Sequence, residues 1–149
     1  MLTYQNGRFY LGDASFALPD NCKVDGYSEF RSHNGLLLYA PDGSYRMDIS
    51  FEAYDGDARA FLQNMADDQE CGASPEPFIF GGLHGWELDQ NHSDATRRSL
   101  AFDVNGGYDP DEEGKPNILE IIVWSEDNVP WDKIRIDKTF CELLAGIQG

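Results

Sequence analysis

Hydrophobic and polar residues alternate most strictly between positions 44 and 53. The apolar residues occupy every second position, at Tyr45, Met47, Ile49, Phe51 and Ala53. A period of two sends alternate side chains to opposite faces of a β-strand. The apolar run 35–40 and the turn signal Pro41-Asp42-Gly43 come just before this segment. The pattern therefore predicts an antiparallel hairpin with one buried face and one solvated face.

Two tight-turn signals near the N-terminus predict a second, smaller hairpin. Asn6-Gly7 favours the positive φ angles of a type I′ turn, and Gly12-Asp13 suits another two-residue turn. Short aromatic segments at 8–11 and 15–18 adjoin these turns. Pro19-Asp20-Asn21 then ends the pairing.

Two amphipathic stripes predict helices, since their apolar residues recur at helical spacing. The first helix is predicted over about 57–69, where the stripe consists of Ala58, Phe61, Leu62 and Met65. Asp55 or Asp57 can cap its start, and Gly72 lies just past its end. The second helix closes the chain with Asp137 as its N-cap. Its stripe consists of Phe140, Leu143, Leu144 and Ile147.

Further strands are predicted at 78–80, 83–89, 98–104 and 117–125. In the second of these, one face carries His84, Trp86 and Leu88, and the other carries Glu87 and Asp89. The last strand is apolar on both faces except at Glu120, so we expect it to be central and covered on both sides. The chain is thus predicted to be a single α+β domain over 1–149. It should have a mostly antiparallel sheet of about six strands flanked by two main helices.

Acidic residues dominate the charge, and they are spread along the whole chain. The formal net charge is −16, from 27 acids and 11 bases. Such a field indicates either a well-solvated surface or a protein partner with a basic face. It argues against nucleic acid and anionic membranes, which need clustered Lys and Arg.

Compartment is suggested by the cysteines and by the N-terminal segment. Cys22, Cys71 and Cys141 are odd in number and form no CxxC pair, which fits a reducing compartment. The first residues lack the basic and apolar regions of a signal peptide, and no stretch has the length of a membrane span. We therefore expect a cytoplasmic protein.

The loop 109–114 offers the most specific chemical signal. Asp109, Asp111, Glu113 and Gly114 fit positions one, three, five and six of a calcium loop, and Glu120 fits position twelve. The alternative is an acidic hairpin tip between two strands, because no helix is predicted on either side of the loop.

Other chemistries find no support in the sequence. The three histidines, His33, His84 and His92, form no metal-binding pair, and His84 is expected to be a core or rim residue. No nucleophile elbow or phosphate loop is present. We therefore predict no catalytic, cofactor-binding or metal-binding residues and no enzyme activity. Trp124 is expected in the core, and Trp131 either at a core edge or exposed as an interaction site.

Three segments give the chain a likeness to a known superfamily: 15–20 (Ser-Phe-Ala-Leu-Pro-Asp), 82–86 (Gly-Leu-His-Gly-Trp) and 140–144 (Phe-Cys-Glu-Leu-Leu). With the order of hairpins, helix, strands and terminal helix, the chain resembles the PsbP-like α/β/α sandwich proteins. That superfamily includes photosystem extrinsic proteins, bacterial envelope lipoproteins and a Ran-binding nuclear import factor. The resemblance implies a binding scaffold more than an enzyme.

The favoured function is a non-enzymatic interaction or accessory domain that docks a protein partner, with a basic partner as the candidate that the charge suggests. Bacterial immunity and secretion-accessory proteins belong to this class. A first alternative is a calcium- or small-ligand-responsive binding module that uses the loop 109–120. A second alternative is a small hydrolase with an unrecognised site.

Overall fold

Two antiparallel sheets and three helices form the described part of the chain. The computed structural model describes residues 2–25, 35–70, 72–90, 96–112 and 114–149. The small sheet has the order β1 (Thr3–Gln5), β2 (Arg8–Leu11) and β3 (Ala14–Ala17). Across the large sheet the order is β4 (Lys23–Asp25), β5 (Gly35–Tyr39), β6 (Arg46–Glu52), β10 (Ile118–Ser125), β9 (Thr96–Asp103), β8 (Leu83–Asp89) and β7 (Glu76–Phe80). The helices are α1 (Ala58–Gln69), α2 (Trp131–Ile134) and α3 (Lys138–Ala145).

The α+β class with a mostly antiparallel sheet flanked by helices is confirmed. The prediction of about six strands falls short, because the large sheet alone has seven described strands. The N-terminal hairpin is also present, and β1 adds a third strand to it across the Asn6-Gly7 turn. Both turn residues have positive φ, 51° and 81°, as a type I′ turn requires.

Strand β10 occupies the centre of the large sheet. Its Ile121 lies opposite Ile49 of β6 on one side and opposite Leu100 of β9 on the other. All three side chains are buried. They belong to the main core, which lies between one face of the large sheet and a cover formed by the small sheet, α2 and α3. The prediction of a central position is therefore correct.

Helix α1 packs on the opposite face, against β8 and β9. Its Leu62 and Ala66 form a second buried cluster with Leu88 and Ala101. As predicted, Asp57 caps the helix, since its Oδ1 accepts a hydrogen bond from Ala60 N at 2.8 Å. On this same face, β6 and the far half of β10 carry side chains that remain partly exposed, including Arg46, Ile122 and Trp124. The expectation that β10 is covered on both faces is therefore only partly met.

The C-terminal helix attaches to the hairpin of β5 and β6 through its cap. Asp137 accepts a hydrogen bond from Thr139 N at 3.3 Å, as predicted for the N-cap. It also accepts one from the Tyr45 hydroxyl at 2.5 Å. Burial and the neighbouring Asp137 carboxylate strongly raise the pKa of Tyr45, so the phenol stays protonated as the donor.

Strand β7 begins at Glu76, although the sequence predicts a loop over 73–77. The strand includes Pro77, which lacks an N–H for pairing. Proline is tolerated here because β7 is the last described strand at this edge of the sheet, next to β8. Among the described residues, no helix has both the length and the hydropathy needed to cross a bilayer.

Asn105 joins the small sheet to the large one. Its Oδ1 accepts hydrogen bonds from Asp13 N at 2.8 Å and Ala14 N at 3.1 Å. Its Nδ2 donates to Leu11 O at 3.2 Å and Pro116 O at 2.9 Å. The side chain is buried, so these four bonds satisfy both ends of an amide that solvent does not reach.

Asn117 fixes the connection between β6 and α1 in the same way, through hydrogen bonds from its buried side chain to backbone groups. Its Oδ1 accepts from Tyr54 N at 2.8 Å, and its Nδ2 donates to Tyr54 O at 2.9 Å and Gly56 O at 3.0 Å. Its residue exposure is 0%. The two asparagines stand at the two ends of the β9–β10 connection, so both peripheral segments are fixed to the central strands.

We expect Asn105→Ala to lower the free energy of unfolding by about 2–4 kcal/mol, because it removes four hydrogen bonds to backbone groups, one of them on the buried Ala14. Chemical denaturation measures this change. Asn128→Ala is the matched control, because Asn128 has a similar left-handed φ (58° against 54°) but is exposed. It should cost roughly 1–2 kcal/mol or less. Equal losses in the two variants would mean that backbone strain, and not the buried amide, explains the effect.

Candidate functional site

Three carboxylates and one guanidinium meet at the β7 end of the large sheet. Glu76 of β7 lies opposite Glu87 of β8, and Asp89 of β8 lies opposite Arg98 of β9. Because cross-strand neighbours share a face, the register brings these four side chains together. With Ala73 and Ser74 they line a pocket of about 290 Å³. We call this pocket the acidic cleft.

Arg98 forms one wall of the acidic cleft. Its Nη1 lies 3.4 Å from Glu87 Oε1, and its Nη2 lies 3.3 Å from Asp89 Oδ2. The guanidinium also stacks over the Trp131 ring, 5.5 Å from the ring centroid. A second pocket, of about 330 Å³, opens on the other side, where Arg98 and Trp131 are joined by Thr96, Asn128, Pro130 and Asp132. Arg98 therefore separates two concave surfaces.

Glu87 is the carboxylate of the cleft whose charged form is disfavoured by its surroundings. Burial raises the pKa of its carboxyl, and the nearby Glu76 and Asp89 add to that rise. The positive charges of Arg98 and Arg135 oppose it but do not cancel it. In addition, Glu87 Oε2 is buried and has no hydrogen-bond partner among the described residues. A buried acceptor without a partner costs about 1–3 kcal/mol, so a cation brought into the cleft would relieve both effects.

A second polar cluster lies on the face that α1 packs against. Trp124 of β10 is opposite Arg46 of β6 and Arg97 of β9. The two guanidinium carbons lie 5.3 Å and 5.1 Å from the indole centroid. We call these three side chains the arginine–tryptophan ladder. The expectation that Trp124 lies in the core is wrong, because its strand position points away from the main core and the ring is only partly buried.

The ladder borders a pocket of about 170 Å³. The pocket is lined by Tyr39, Gly43, Ser44, Tyr45, Arg46, Trp124, Glu126 and Asp127. Arg46 Nε and Trp124 Nε1 are buried donors that find no hydrogen-bond partner within the described ranges. As at Glu87, each such group costs about 1–3 kcal/mol. The unmet groups here are donors, whereas the acidic cleft has an unmet acceptor, Glu87 Oε2, beside an unmet donor, Arg98 Nε.

The predicted calcium loop is not assembled by the residues that the structure describes. Asp109 Oδ1 accepts a hydrogen bond from Asp111 N at 2.9 Å within the turn. Glu120 lies in β10, opposite Ser50 and Ala101, and is buried. Glu113 lies outside the described residues. Across the described ranges, no group of three His, Cys, Asp or Glu side chains is arranged to hold a metal.

The remaining predicted residues are dispersed. His84 is exposed on β8 opposite Ile79, so it is a rim residue, while His33 and His92 lie outside the described residues. Trp131 is only 5% exposed and packs on Phe140, so of the two predicted alternatives the structure shows the core position and not an exposed interaction residue. Its burial follows from helix α2, which the sequence did not predict.

The thiols of the described cysteines are not activated. Burial raises the pKa of Cys22 and of Cys141, which disfavours the thiolate. The Cys22 thiol donates to Tyr39 O at 3.1 Å. Cys71 lies outside the described residues.

Comparison with known proteins adds no relative: no protein-family model matches the chain, and a search of curated proteins finds no significant match. The candidate site therefore rests on geometry. Sequence reasoning placed Glu87 and Asp89 on one face but did not identify a site there. Recognising one requires the pairing of Asp89 with Arg98, which lies on another strand.

Glu87→Gln should change how stability depends on pH. A raised pKa in the folded state means that protonated Glu87 stabilises the fold at low pH and that this contribution is lost as pH rises through the folded pKa. Glutamine does not titrate. The stability of Glu87→Gln relative to the unmodified chain should therefore rise as the pH increases above about 4, the ordinary pKa of a glutamate.

Urea denaturation at several pH values measures this difference. Glu76→Gln, on the neighbouring strand and exposed, makes the same chemical change and serves as the control. The quantity to follow is the free energy of unfolding of Glu87→Gln minus that of the unmodified chain. If this difference stays constant or falls as the pH rises, the effect assigned to burial is contradicted.

Proposed function

We propose that this chain is a non-enzymatic interaction domain that docks a basic segment of a protein partner. In this proposal the acidic cleft receives a lysine or arginine side chain of that segment. The chain as a whole would act as a cytoplasmic accessory or immunity-type protein of a bacterium. Its scaffold would be of the PsbP-like α/β/α kind, for which the helices on both faces of the large sheet give support.

The observation that carries the proposal is the buried Glu87 Oε2, which lacks a hydrogen-bond partner in the described part of the chain and lies in a cleft with excess negative charge. Three carboxylates face one guanidinium there. A partner ammonium or guanidinium would supply the donors that Oε2 lacks and would offset the repulsion from Glu76 and Asp89. A charge-assisted hydrogen bond in a partly desolvated cleft contributes more than an exposed ion pair.

The charge of the whole chain favours the same kind of partner. A net charge of −16 attracts basic surfaces over a distance of about a Debye length, roughly 8 Å at physiological salt. Such attraction mainly raises the association rate, whereas a desolvated pair in the cleft slows dissociation. The total charge should therefore change the association rate constant, and the cleft should change the dissociation rate constant.

A blocked peptide of alternating lysine and serine is a direct probe of the cleft. We expect calorimetric binding to the unmodified chain at physiological ionic strength. The double variant Glu76→Gln/Asp89→Asn should bind roughly tenfold more weakly, since a charge-assisted hydrogen bond contributes about 1.5–3 kcal/mol.

The matched control is Asp111→Asn/Glu112→Gln, which also removes two carboxylates but alters the exposed β9–β10 connection. It should reduce affinity only slightly. If both double variants lose affinity equally, the attraction is a property of the total charge and the cleft is not the docking site. If the unmodified chain does not bind the peptide, the proposed docking of a basic segment is wrong.

A further inference from the structure

We infer that the arginine–tryptophan ladder forms a second binding site, and that its ligand is a carboxylate. The site lies on the opposite face of the large sheet from the acidic cleft. The buried groups without partners also differ, because the ladder has two donors, whereas the cleft has the acceptor Glu87 Oε2 beside the donor Arg98 Nε. The inference does not rest on the proposed docking of a basic segment, and each can fail alone.

The register of three adjacent strands fixes the ladder. Arg46, Trp124 and Arg97 are direct cross-strand neighbours, so their side chains stand side by side on one face of the sheet. Each guanidinium stacks on the indole, at 5.3 Å and 5.1 Å from its centroid. A cation over the face of an indole leaves the indole N–H, which lies in the ring plane, for hydrogen bonding.

Two donors of the ladder lack partners among the residues that the structure describes, and both belong to side chains that line the adjoining pocket. They are Arg46 Nε and Trp124 Nε1, and both atoms are buried. Arg46 is only partly buried and lines the pocket. By contrast, the hydroxyl of Tyr45, another residue that lines the pocket, already donates to Asp137. The unmet demand is therefore for an acceptor.

Charge and size narrow the acceptor to a carboxylate. The guanidinium of Arg46 and the indole N–H of Trp124 are donors that match the oxygens of an anion. The pocket volume of about 170 Å³ suits a small headgroup. Glu126 and Asp127 are exposed at the same pocket and would repel a doubly charged phosphate more strongly than a singly charged carboxylate. Such a carboxylate is carried both by small organic acids and by the C-terminus of a peptide.

Indole N–H resonances of the ¹⁵N-labelled chain provide the test. The chain has three tryptophans, and Trp124→Phe identifies the resonance of Trp124. We expect sodium acetate and the acetylated tripeptide of glycine to shift this resonance to saturation, and the resonances of Trp86 and Trp131 to stay in place. Sodium chloride at equal ionic strength and the amide of the same tripeptide should have no such effect.

Comparing the two carboxylates identifies the source of the ligand. Saturation by the tripeptide at a concentration at least about tenfold below that of acetate indicates a peptide C-terminus, and similar concentrations indicate a small acid. Either result supports a carboxylate site. A shift that grows without saturation, or one that the amide also produces, overturns the inference.

Arg46→Lys tests the assigned donor, because it keeps the positive charge but removes the Nε–H. We expect at least roughly tenfold weaker binding of the tripeptide or acetate, whichever binds the unmodified chain more tightly. Arg59→Gln is the control, since Arg59 stacks over Trp86 at 5.4 Å in the same way but away from the pocket. It should leave the Trp124 titration unchanged. Unaltered binding by Arg46→Lys, with a spectrum that shows a folded chain, would also overturn the inference.

Discussion

Strand β10 holds the molecule together through its simultaneous pairing with β6 and β9. Seven residues of β10 face β6, and eight face β9, so almost every backbone group of the strand is committed. One face of the strand supplies Leu119, Ile121 and Val123 to the main core. The other face carries Glu120, Ile122 and Trp124. A shift of one residue in either register would exchange these faces and bury the charges.

Two buried asparagine amides attach the peripheral segments to the central strands. The hydrogen bonds of Asn105 hold the small sheet, and those of Asn117 hold the segment that leads into α1. Both side chains bond to backbone groups in loops or at strand ends, which would otherwise need water. The elements that cover the two faces of the large sheet are thus fixed to the central strands by polar contacts as well as by apolar packing.

The two candidate sites share one physical origin. Each forms where charged side chains from neighbouring strands meet on one face of the sheet with incomplete cover. Within the described residues, this leaves an excess of acceptors around Glu87 at the acidic cleft and unsatisfied donors on Arg46 and Trp124 at the ladder. A rigid antiparallel sheet holds such groups in place, which lowers the entropic cost of binding.

Local sequence patterns determine the individual strands and helices, whereas the assembled sheet determines which of them lie next to each other. Alternation over 44–53 and 83–89 and the stripe over about 57–69 predict strands and a helix close to those observed, and Asp57 and Asp137 cap helices as expected. These features depend on residues a few positions apart, whose preferences the chain carries locally.

The strand order, the burial of Trp131, the partial exposure of Trp124 and the partners of Glu87 became visible only in the folded chain. Periodicity assigns a residue to one of two faces, but it does not say which face is covered or which strand lies alongside. The contacts of Trp124 with Arg46 and Arg97 join three strands. Strands β6 and β10 are far apart in sequence, and a long connection separates β9 from β10. Such contacts follow from register and packing across the whole sheet, and no local pattern encodes them.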